Sequence, residues 1–357
     1  MRAWLFFSAA VVLGCDAPKS APADAGARPL AIDHVDDLGA FSAPPTVVGR
    51  DGTTSAQVGD RRVWTFGDTF LTKPTPDDGT TVRSSTAGWS APDAALALDE
   101  PLDDAGLPFE LVPYTAAELA QNQADPQNGV ALWPSASVAT SDKTAVLLFQ
   151  HVLRKSGGFA ADAVGTAELT KDATSATRDP SFLFQAPDPL FGNGGAAVDG
   201  GNAYLFDCES TGILDEHCKL ARVPLASVAV RGAYEFWDGA AYTTDVTKAA
   251  WFIDHASASL SIAFNPWLGR WLAVYGKPLS DDIGLRTADR IEGPWTDPEV
   301  VLPGATPGLV TGDAGVNYLA REHVELRSVD GRAIVIGYAH PLPNFGGACR
   351  LARVVLR

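Results

Sequence analysis

The chain has 357 residues, of which 46% are hydrophobic and 20% are charged, so it has ample apolar material for a folded core. Its formal net charge of -16 at pH 7 argues against nucleic acid or any other polyanion as a partner. No long apolar segment follows the first residues, so no membrane-spanning helix is expected there.

The first residues have the pattern of a cleaved export signal. Arg2 precedes an apolar run from Trp4 to Leu13, which is too short to span a bilayer as a helix. The run ends in Val-Leu-Gly-Cys, which looks like a bacterial lipobox and predicts a lipidated Cys15 after a signal peptide at residues 1–14. A soluble secretory signal with an incidental cysteine is the alternative.

Residues 15–29 are predicted to form a flexible tether. They are rich in Ala, Pro, Asp and Ser, a composition that cannot bury enough apolar surface to fold. We therefore expect an exported bacterial lipoprotein, anchored in the periplasm or at the cell surface, that contacts the membrane only through its N-terminal lipid.

A repeated hairpin pattern organises the rest of the chain. Five times, a strand of small residues enters a tight polar turn and returns as an apolar strand with aromatic residues near its end. The turns lie at residues 59–60, 141–142, 199–202, 266–269 and 330–331. Repeats of roughly 60 to 80 residues, each with a hairpin and a third strand, are typical of propeller blades. We predict an all-β, five-bladed β-propeller with a central funnel over residues 30–357.

The blade boundaries follow from these turns. The predicted blades are approximately residues 46–98, 128–178, 190–240, 255–302 and 315–357. A strand within residues 30–41 is expected to join the last blade and close the ring, which removes open sheet edges. The segment that starts at Glu110 is the single candidate for a helix, and we expect a monomer.

The remaining cysteines have separate expected roles. Cys208 and Cys218 lie ten residues apart on the second and third strands of the third blade, close enough to form a disulfide across a hairpin. Export permits such a bond. Cys349 is expected to be a buried thiol in the last strand, and the sequence has no cysteine pattern of a metal site.

The hairpin register places two aspartates opposite each other at the funnel mouth. With the first turn as its centre, Ser55 faces Trp64 and Asp51 faces Asp68. Such residues have Cβ atoms about 5 Å apart, where like charges are destabilising. A shared proton, a cation or the neighbouring Arg50 would offset this cost. The alternatives are an ordinary turn and loop start, with the carboxylates capping backbone amides, or a bulge that breaks the register.

The same counting adds further polar side chains to the mouth. In the second blade it places Trp133 opposite Gln150, with His151 one residue farther along the strand. In the last blade it places Glu322 at the same height as Asp51, and His323 beside Tyr338. The candidate substrate-binding residues are Arg50, Trp133, Gln150, His151, Asn265 and His323, and Glu322 is a candidate third carboxylate. The alternatives are inter-blade packing for the tryptophan, structural hydrogen bonds for the histidines and an internal ion pair for the glutamate.

Paired carboxylates beside an indole suit a sugar substrate. A sugar ring stacks on an aromatic face, and its hydroxyls bond to Asp, Asn and His side chains. Glycoside cleavage needs one carboxyl group as the acid and another as the base or nucleophile, and a separation of about 5 Å is the retaining geometry. The carboxylates with His323 could also hold Ca²⁺, but calcium prefers six to eight oxygen ligands that the sequence does not assemble, so no cofactor is expected.

Several motifs carry a family resemblance. GRDG at residues 49–52 and FGDT at residues 66–69 resemble the first blade of a bacterial family known as a domain of unknown function, and weaker similarities lie at residues 220–239, 264–278, 285–298 and 323–326. That family includes endo-D-arabinanases, which are five-bladed propeller glycoside hydrolases. The resemblance implies Asp51 and Asp68 as catalytic carboxylates. Val324 departs from it, since proline is expected there.

The leading hypothesis is a surface-tethered glycoside hydrolase that acts on a furanose-rich polysaccharide such as D-arabinan. The alternative is a non-catalytic lipoprotein that binds glycans, with the aspartates holding calcium or sugar hydroxyls, and a protein-interaction propeller is the third reading. The sequence has neither a GxSxG nucleophile elbow nor a Gly-rich nucleotide fingerprint, so serine-hydrolase and nucleotide chemistry are not expected.

Overall fold

The computed structural model describes residues 26–155, 158–212, 215–257, 259–277, 280–300, 316–342 and 347–357. The predicted signal peptide at residues 1–14 and the predicted lipid attachment at Cys15 lie outside these ranges. Residues 26–31 have no regular secondary structure, and the Arg28 N–H donates to the Leu268 carbonyl oxygen at 3.0 Å. Within the described ranges, no helix is long and apolar enough to cross a membrane.

The first group of strands forms two small antiparallel sheets that follow each other along the same hairpin. A separate strand, β1 (Ile32–Ala40), precedes them. The group contains β2 (Val47–Arg50), β3 (Thr53–Val58), β4 (Arg61–Phe66), β5 (Thr69–Leu71), β6 (Val82–Arg83) and β7 (Thr86–Ser90). Strands β2, β5 and β6 form one sheet, and β3, β4 and β7 form the other. Ser55 lies opposite Trp64, so the predicted register of this hairpin is confirmed.

The one α-helix of the described residues follows this group. α1 (Ala116–Ala124) begins after Thr115, whose side chain accepts the Glu118 N–H while the Glu118 carboxylate accepts the Thr115 N–H. This reciprocal capping satisfies two backbone donors that the helix itself leaves unpaired. The helix predicted from Glu110 onwards is confirmed, but its first residue is Ala116, directly after the capping residue.

The second and third sheets carry long hairpins. The second contains β8 (Val130–Ala139), β9 (Thr144–Lys155), β10 (Gly158–Thr170), β11 (Thr177–Arg178) and β12 (Phe184–Gln185). The third contains β13 (Gly195–Asp199), β14 (Asn202–Gly212), β15 (Asp215–Pro224), β16 (Glu235–Trp237), β17 (Tyr242–Thr243) and β18 (Trp251–Ala256). Trp133 lies opposite Gln150, as the register predicts. Cys208 lies opposite Cys218, and the two form a disulfide.

The last two sheets complete the ring. The fourth contains β19 (Leu260–Asn265), β20 (Arg270–Gly276), β21 (Ile283–Ala288) and β22 (Glu299–Val300). The last contains β23 (Tyr318–Glu322), β24 (Ala333–Pro341) and β25 (Gly347–Leu356), and β1 pairs along β25. The predicted addition of the N-terminal strand to the last sheet is therefore confirmed. Cys349 is a buried free thiol in β25.

Apolar side chains fill the spaces between neighbouring sheets. Buried clusters in ring order contain Val63 with Leu147, Leu148 with Leu205, Phe206 with Ile262, Leu285 with Ile336, and Trp64 with Leu351. The last of these pairs joins the final sheet to the first, so the sheets pack in a closed ring. Burial of this apolar surface is the main favourable term for such a fold. The predicted all-β class is confirmed.

A central cavity of about 320 Å³ lies where the innermost strands β3, β8, β13, β19 and β23 meet. Small side chains such as Ala56, Ala136, Ala197 and Ala263 line it. Larger residues at these positions would fill the space, so the small-residue strands seen in the sequence leave the axis open.

The last hairpin departs from the predicted register. Strand β23 ends at Glu322, which lies opposite Ile336, and a 3₁₀ turn at Val324–Leu326 follows it. The His323 N–H donates to the Val335 carbonyl oxygen at 2.9 Å, so the prediction that His323 lies beside Tyr338 is wrong. The loop between β23 and β24 therefore begins directly after Glu322, well before the turn predicted at residues 330–331. Glu322 therefore lies at the turn end of its strand and not at the height of Asp51.

Deletion of residues 26–40 is expected to destabilise the ring strongly. The deletion removes β1 and leaves the backbone groups of β25 unpaired along an open sheet edge. The midpoint of guanidinium-induced unfolding should fall well below that of the intact chain. The variant Asp36→Asn is the control, because it removes only exposed ion pairs to Arg353 and His34 and should cost about 1 kcal/mol or less. An unchanged midpoint for the deletion would contradict the role of β1 as a closing strand.

Candidate functional site

Two aspartates face each other where both strands of the first hairpin are interrupted. Asp51 lies between β2 and β3, and Asp68 lies between β4 and β5. The Asp51 N–H donates to the Asp68 carbonyl oxygen at 3.1 Å, and the Gly67 N–H donates to the Asp51 carbonyl oxygen at 2.8 Å. Pairing resumes in the same register on both sides of the gap. Asp51 thus bonds to both Gly67 and Asp68 of the facing strand, as in a β-bulge where one residue faces two, and the charge of Asp68 acts on the Asp51 carboxyl group.

Glycines allow this close approach. Gly52 has a φ of +57°, a left-handed conformation that glycine adopts without a steric penalty. A Cβ atom on Gly67 would lie 2.9 Å from the Asp51 carboxylate, so a larger residue there would displace the acid. The GRDG and FGDT motifs thus supply both the acids and the space that they need.

Burial makes it costly for Asp51 to be ionised. Burial, with the nearby charge of Asp68, raises the pKa of Asp51 to about 7. The Tyr318 hydroxyl, at the start of β23, donates to the Asp51 carboxylate at 3.4 Å and offsets part of this shift. Asp51 can therefore hold a proton near neutral pH.

Asp68 has better partners for a negative charge. Burial raises its pKa, whereas the Arg154 guanidinium at 3.8 Å and the Trp133 indole N–H lower it. The indole N–H donates to Asp68 Oδ1 at 2.9 Å. When the pair carries a single charge, that charge is better stabilised on Asp68.

An aromatic surface adjoins the pair. The rings of Trp133 and Phe159 are tilted against each other with centroids 5.3 Å apart, and Phe159 is 64% exposed. Phe159 lies opposite Arg154 in the hairpin of β9 and β10. The sequence analysis did not predict Phe159, Arg154 or Tyr318 as site residues. Arg154 follows Gln150 by four positions on one strand, so strand alternation places both on the same side and could have indicated it.

Arg50 is not a substrate-binding residue in this structure. Its guanidinium makes two hydrogen bonds to the Glu100 carboxylate, at 3.0 and 2.9 Å, and the two side chains are only 4% and 3% exposed. It also lies 4.3 Å from the centre of the Phe66 ring. The guanidinium that approaches the aspartate pair is that of Arg154.

His151 points away from the pair as well. Its Nδ1 hydrogen bonds to Asp162 at 2.5 Å, and its Nε2 lies 3.3 Å from the Glu118 carboxylate. Burial alone would lower its pKa, but these two carboxylates raise it above its usual value. Its role is thus to tie α1 to the second sheet. Gln150 donates to the Asn193 carbonyl oxygen at 3.2 Å and so lies between the second and third sheets.

Two further candidates, Glu322 and Asn265, have structural partners. Glu322 is buried in an ion pair with Arg327, 2.7 Å from Nε, and is not a third carboxylate of the pair. Asn265 is fully buried at the turn end of β19, where its side chain accepts the Trp267 N–H and donates to the Gly331 carbonyl oxygen. Its position beside the turn excludes it from the mouth.

His323 is the last of these candidates. Its Nδ1 hydrogen bonds to Ser55 Oγ at 2.6 Å, and its ring packs edge-on against Trp64. Burial, with the charges of Arg321 and Arg62, lowers the pKa of His323 to about 3. It is therefore a neutral structural histidine in the wall of the first and last sheets.

Arg321 crosses the axis below the mouth. It leaves β23, and its Nη1 donates to the Ser135 carbonyl oxygen of β8 at 2.7 Å. Its Nε and Nη2 donate to Ser259 Oγ, just before β19, at 3.0 and 2.9 Å. Burial lowers its pKa to about 10, so it remains charged at neutral pH. This side chain joins three sheets and separates the mouth from the cavity at the turn end.

No metal site emerges from the described parts of the chain. No group of three or more His, Cys, Asp or Glu side chains among those residues is arranged to hold a metal ion. His323, which the calcium hypothesis places with the aspartates, is hydrogen bonded to Ser55 instead.

Sequence comparison assigns the family. The model described as Domain of unknown function (DUF4185) matches residues 45–320. The chain belongs to this family. The match includes Asp51, Asp68 and Trp133, and it confirms the resemblance carried by the GRDG and FGDT motifs. No curated protein sequence matches the chain.

Solved structures share the fold of this DUF4185 chain at low sequence identity. A proposed hydrolase from Bacteroides ovatus is 15% identical, with a TM-score of 0.63 over 88% of this chain and 87% of its own. An exo-β-1,3-galactanase from Phanerochaete chrysosporium is 13% identical, with a TM-score of 0.51 over 90% of this chain and 64% of its own. A family 117 glycoside hydrolase from Zobellia galactanivorans is 12% identical, with a TM-score of 0.50 over 90% and 89%. These similarities establish the fold alone.

The substitution Arg50→Met is expected to cost about 3–5 kcal/mol of stability, because it leaves the Glu100 carboxylate buried without its partner. Chemical denaturation monitored by tryptophan fluorescence measures this loss. The double variant Arg50→Met, Glu100→Leu removes both charges and should recover most of it. If Arg50→Met were as stable as the unaltered chain, the ion pair would not have the structural role assigned here.

Proposed function

We propose that the protein is a glycoside hydrolase in which Asp51 and Asp68 are the two catalytic carboxylates. The observation that supports it most is the contact of these two residues at the strand break, next to an indole that donates to one of them. Paired carboxyl groups beside an aromatic surface are the chemical requirement for glycoside cleavage. The fold is also that of solved glycoside hydrolases.

The closed ring of sheets supports a five-bladed propeller as the architecture of this enzyme. Each of the five innermost strands lines the central cavity, and each space between neighbouring sheets contains a buried cluster. In this arrangement, the aspartate pair lies at the funnel mouth and Arg321 forms the floor.

The two acids have different roles in this proposal. Asp51 is the general acid, because burial and the charge of Asp68 raise its pKa to about 7 and keep it protonated in weakly acidic solution. Asp68 is the nucleophile, because the Trp133 N–H and the Arg154 guanidinium stabilise its negative charge. A retaining enzyme needs a separation of about 5 Å between its two carboxyl groups, and the influence of the Asp68 charge on Asp51 supports retention as the proposed outcome.

The proposed reaction has two displacements. The Asp68 carboxylate forms a bond to the anomeric carbon as the glycosidic C–O bond breaks, and Asp51 donates its proton to the departing oxygen. A water molecule then attacks the same carbon, Asp51 accepts its proton, and the bond to Asp68 breaks. Both carboxyl groups return to their starting protonation states.

A furanose-rich polysaccharide, with D-arabinan as the leading candidate, is the proposed substrate. The motifs shared with endo-D-arabinanases support this choice, and the Trp133–Phe159 surface offers an apolar face for a sugar ring. The proposed location is the bacterial cell envelope, with a lipid on Cys15 and a monomeric propeller. The Cys208–Cys218 disulfide is consistent with export.

The substitutions Asp51→Asn and Asp68→Asn are each expected to reduce cleavage of mycobacterial arabinogalactan by about 10³-fold or more, because each removes a group that reacts. Release of reducing ends measures activity, plant L-arabinan tests the sugar preference, and Asp142→Asn in an exposed turn is the control.

NMR during turnover should show retained anomeric configuration, and inverted product would contradict the proposed nucleophile. Glycan binding without any reducing ends would favour a non-catalytic glycan-binding protein.

The pH dependence of cleavage should report the protonation of Asp51. Since the protonated form is the active acid, kcat/KM should fall as the pH rises through about 7. A profile of kcat/KM from pH 4 to pH 9 measures this limb. The variant Tyr318→Phe removes a hydrogen bond that favours the charged form, so its limb should move to higher pH. A flat profile between pH 6 and pH 9 is incompatible with Asp51 as the acid.

A further inference from the structure

Two hairpins extend beyond the aspartate pair at the mouth. Strands β9 and β10 continue past Gln150, the partner of Trp133, to Lys155 and Gly158, and β8 accompanies β9 as far as Leu153. Strands β14 and β15 continue past Phe206, the partner of the first residue of β13, to Gly212 and Asp215. At about 3.3 Å per residue, five or six residues project roughly 15–20 Å.

The facing sides of these hairpins follow from strand alternation. Leu148 and Leu205 lie in the cluster between the second and third sheets. Side chains of a strand alternate between its two faces. Gln150 therefore shares the face of Leu148 that looks toward the third sheet, whereas the Arg154 guanidinium reaches back to Asp68 of the first hairpin. On the opposing hairpin, Asp207 and Glu209 share the face of Leu205, directly opposite Lys219 and His217.

Hydrogen bonds join the two hairpins at their base. The Gln150 side chain donates to the Asn193 carbonyl oxygen at 3.2 Å, and the Asn193 side chain donates to the buried Asp207 carboxylate at 3.0 Å. We call the space above this base the inter-hairpin groove. Asp68 lies at its inner end, through its contacts with Trp133 and Arg154.

Aromatic and charged side chains line both walls of this groove. On the side of the second sheet, the exposed ring of Phe159 packs against Trp133 at the inner part of the groove. On the other wall, Trp251 of β18 lies opposite Lys219 and is 41% exposed. The Lys219 ammonium is 4.4 Å from the centre of the Trp251 ring and 2.7 Å from the Glu209 carboxylate.

The disulfide fixes the outer wall in place. Cys208 and Cys218 are directly opposed at the base of the β14–β15 projection, and both sulfurs lie on the buried side away from the groove. A two-stranded projection is marginally stable by itself in water. The cross-link and the pairing of β18 with β15 restrict its movement, so the groove wall is pre-organised for a ligand.

We propose that the inter-hairpin groove binds the segment of a polysaccharide chain next to the bond held at Asp51 and Asp68. This inference rests on the proposed function. Exposed aromatic rings beside charged hydrogen-bonding groups match the alternating apolar faces and hydroxyl edges of sugars. The groove leads directly from Trp133 and Asp68, where the proposed cleavage takes place. Its proposed occupant is therefore a glycan chain and not a protein segment.

The test measures retention of the Asp51→Asn protein in affinity electrophoresis through gels that contain mycobacterial arabinogalactan, so that cleavage cannot interfere. Adding Trp251→Ala should weaken affinity about tenfold, and Trp251→Phe should restore most of it. Phe264→Ala is the matched control, since Phe264 is also a 41% exposed aromatic residue but lies near the turn end of β19. It should not change retention.

The outcomes separate this inference from the proposed function. Equal retention of the Trp251→Ala and Phe264→Ala proteins overturns the groove, even if the unaltered chain cleaves arabinogalactan. A specific loss in Trp251→Ala supports the groove, even if no reducing ends appear and the catalytic proposal fails. No retention of the parent protein, with no cleavage by the unaltered chain, overturns both. Circular dichroism of each variant confirms that it is folded.

Discussion

A pair of neighbouring, largely enclosed carboxyl groups is the constraint around which the mouth of the ring is arranged. Asp51 and Asp68 come from one hairpin, but the groups that donate to them come from elsewhere: Tyr318 from the last sheet, and Trp133 with Arg154 from the second. These donors reach the pair only when the sheets on both sides are packed against the first. The two acids are therefore stabilised only when the ring is closed, because closure brings the donors from the last and second sheets to them.

The first hairpin could be predicted closely because its register depends only on a tight turn and on regular alternation between strands. The contact between Asp51 and Asp68 and the pairing of Ser55 with Trp64 both follow from counting. The last hairpin could not, because a 3₁₀ turn after His323 ends the strand early and places Glu322 beside Arg327. Local sequence gives no distinct signal for that turn.

Partners that are distant in sequence account for the other errors. Arg50 precedes Asp51 directly, yet its side chain binds Glu100 from a later loop, and His151 binds Glu118 of α1. Each pairing satisfies a charge that would otherwise be buried alone, a requirement that becomes visible only when the sheets are packed. Motifs whose glycines and acids act within one hairpin were readable, whereas ion pairs between separate elements were not.

Arg321 gives the central pit a closed end. Because the guanidinium spans from β23 to Ser135 and Ser259, the axis is blocked between the mouth and the cavity behind it. A polymer could not be threaded through the ring from one side to the other. If the protein cleaves a polymer as proposed, the chain must approach across the rim and leave by the same opening, so successive cuts would require separate encounters or sliding along the surface.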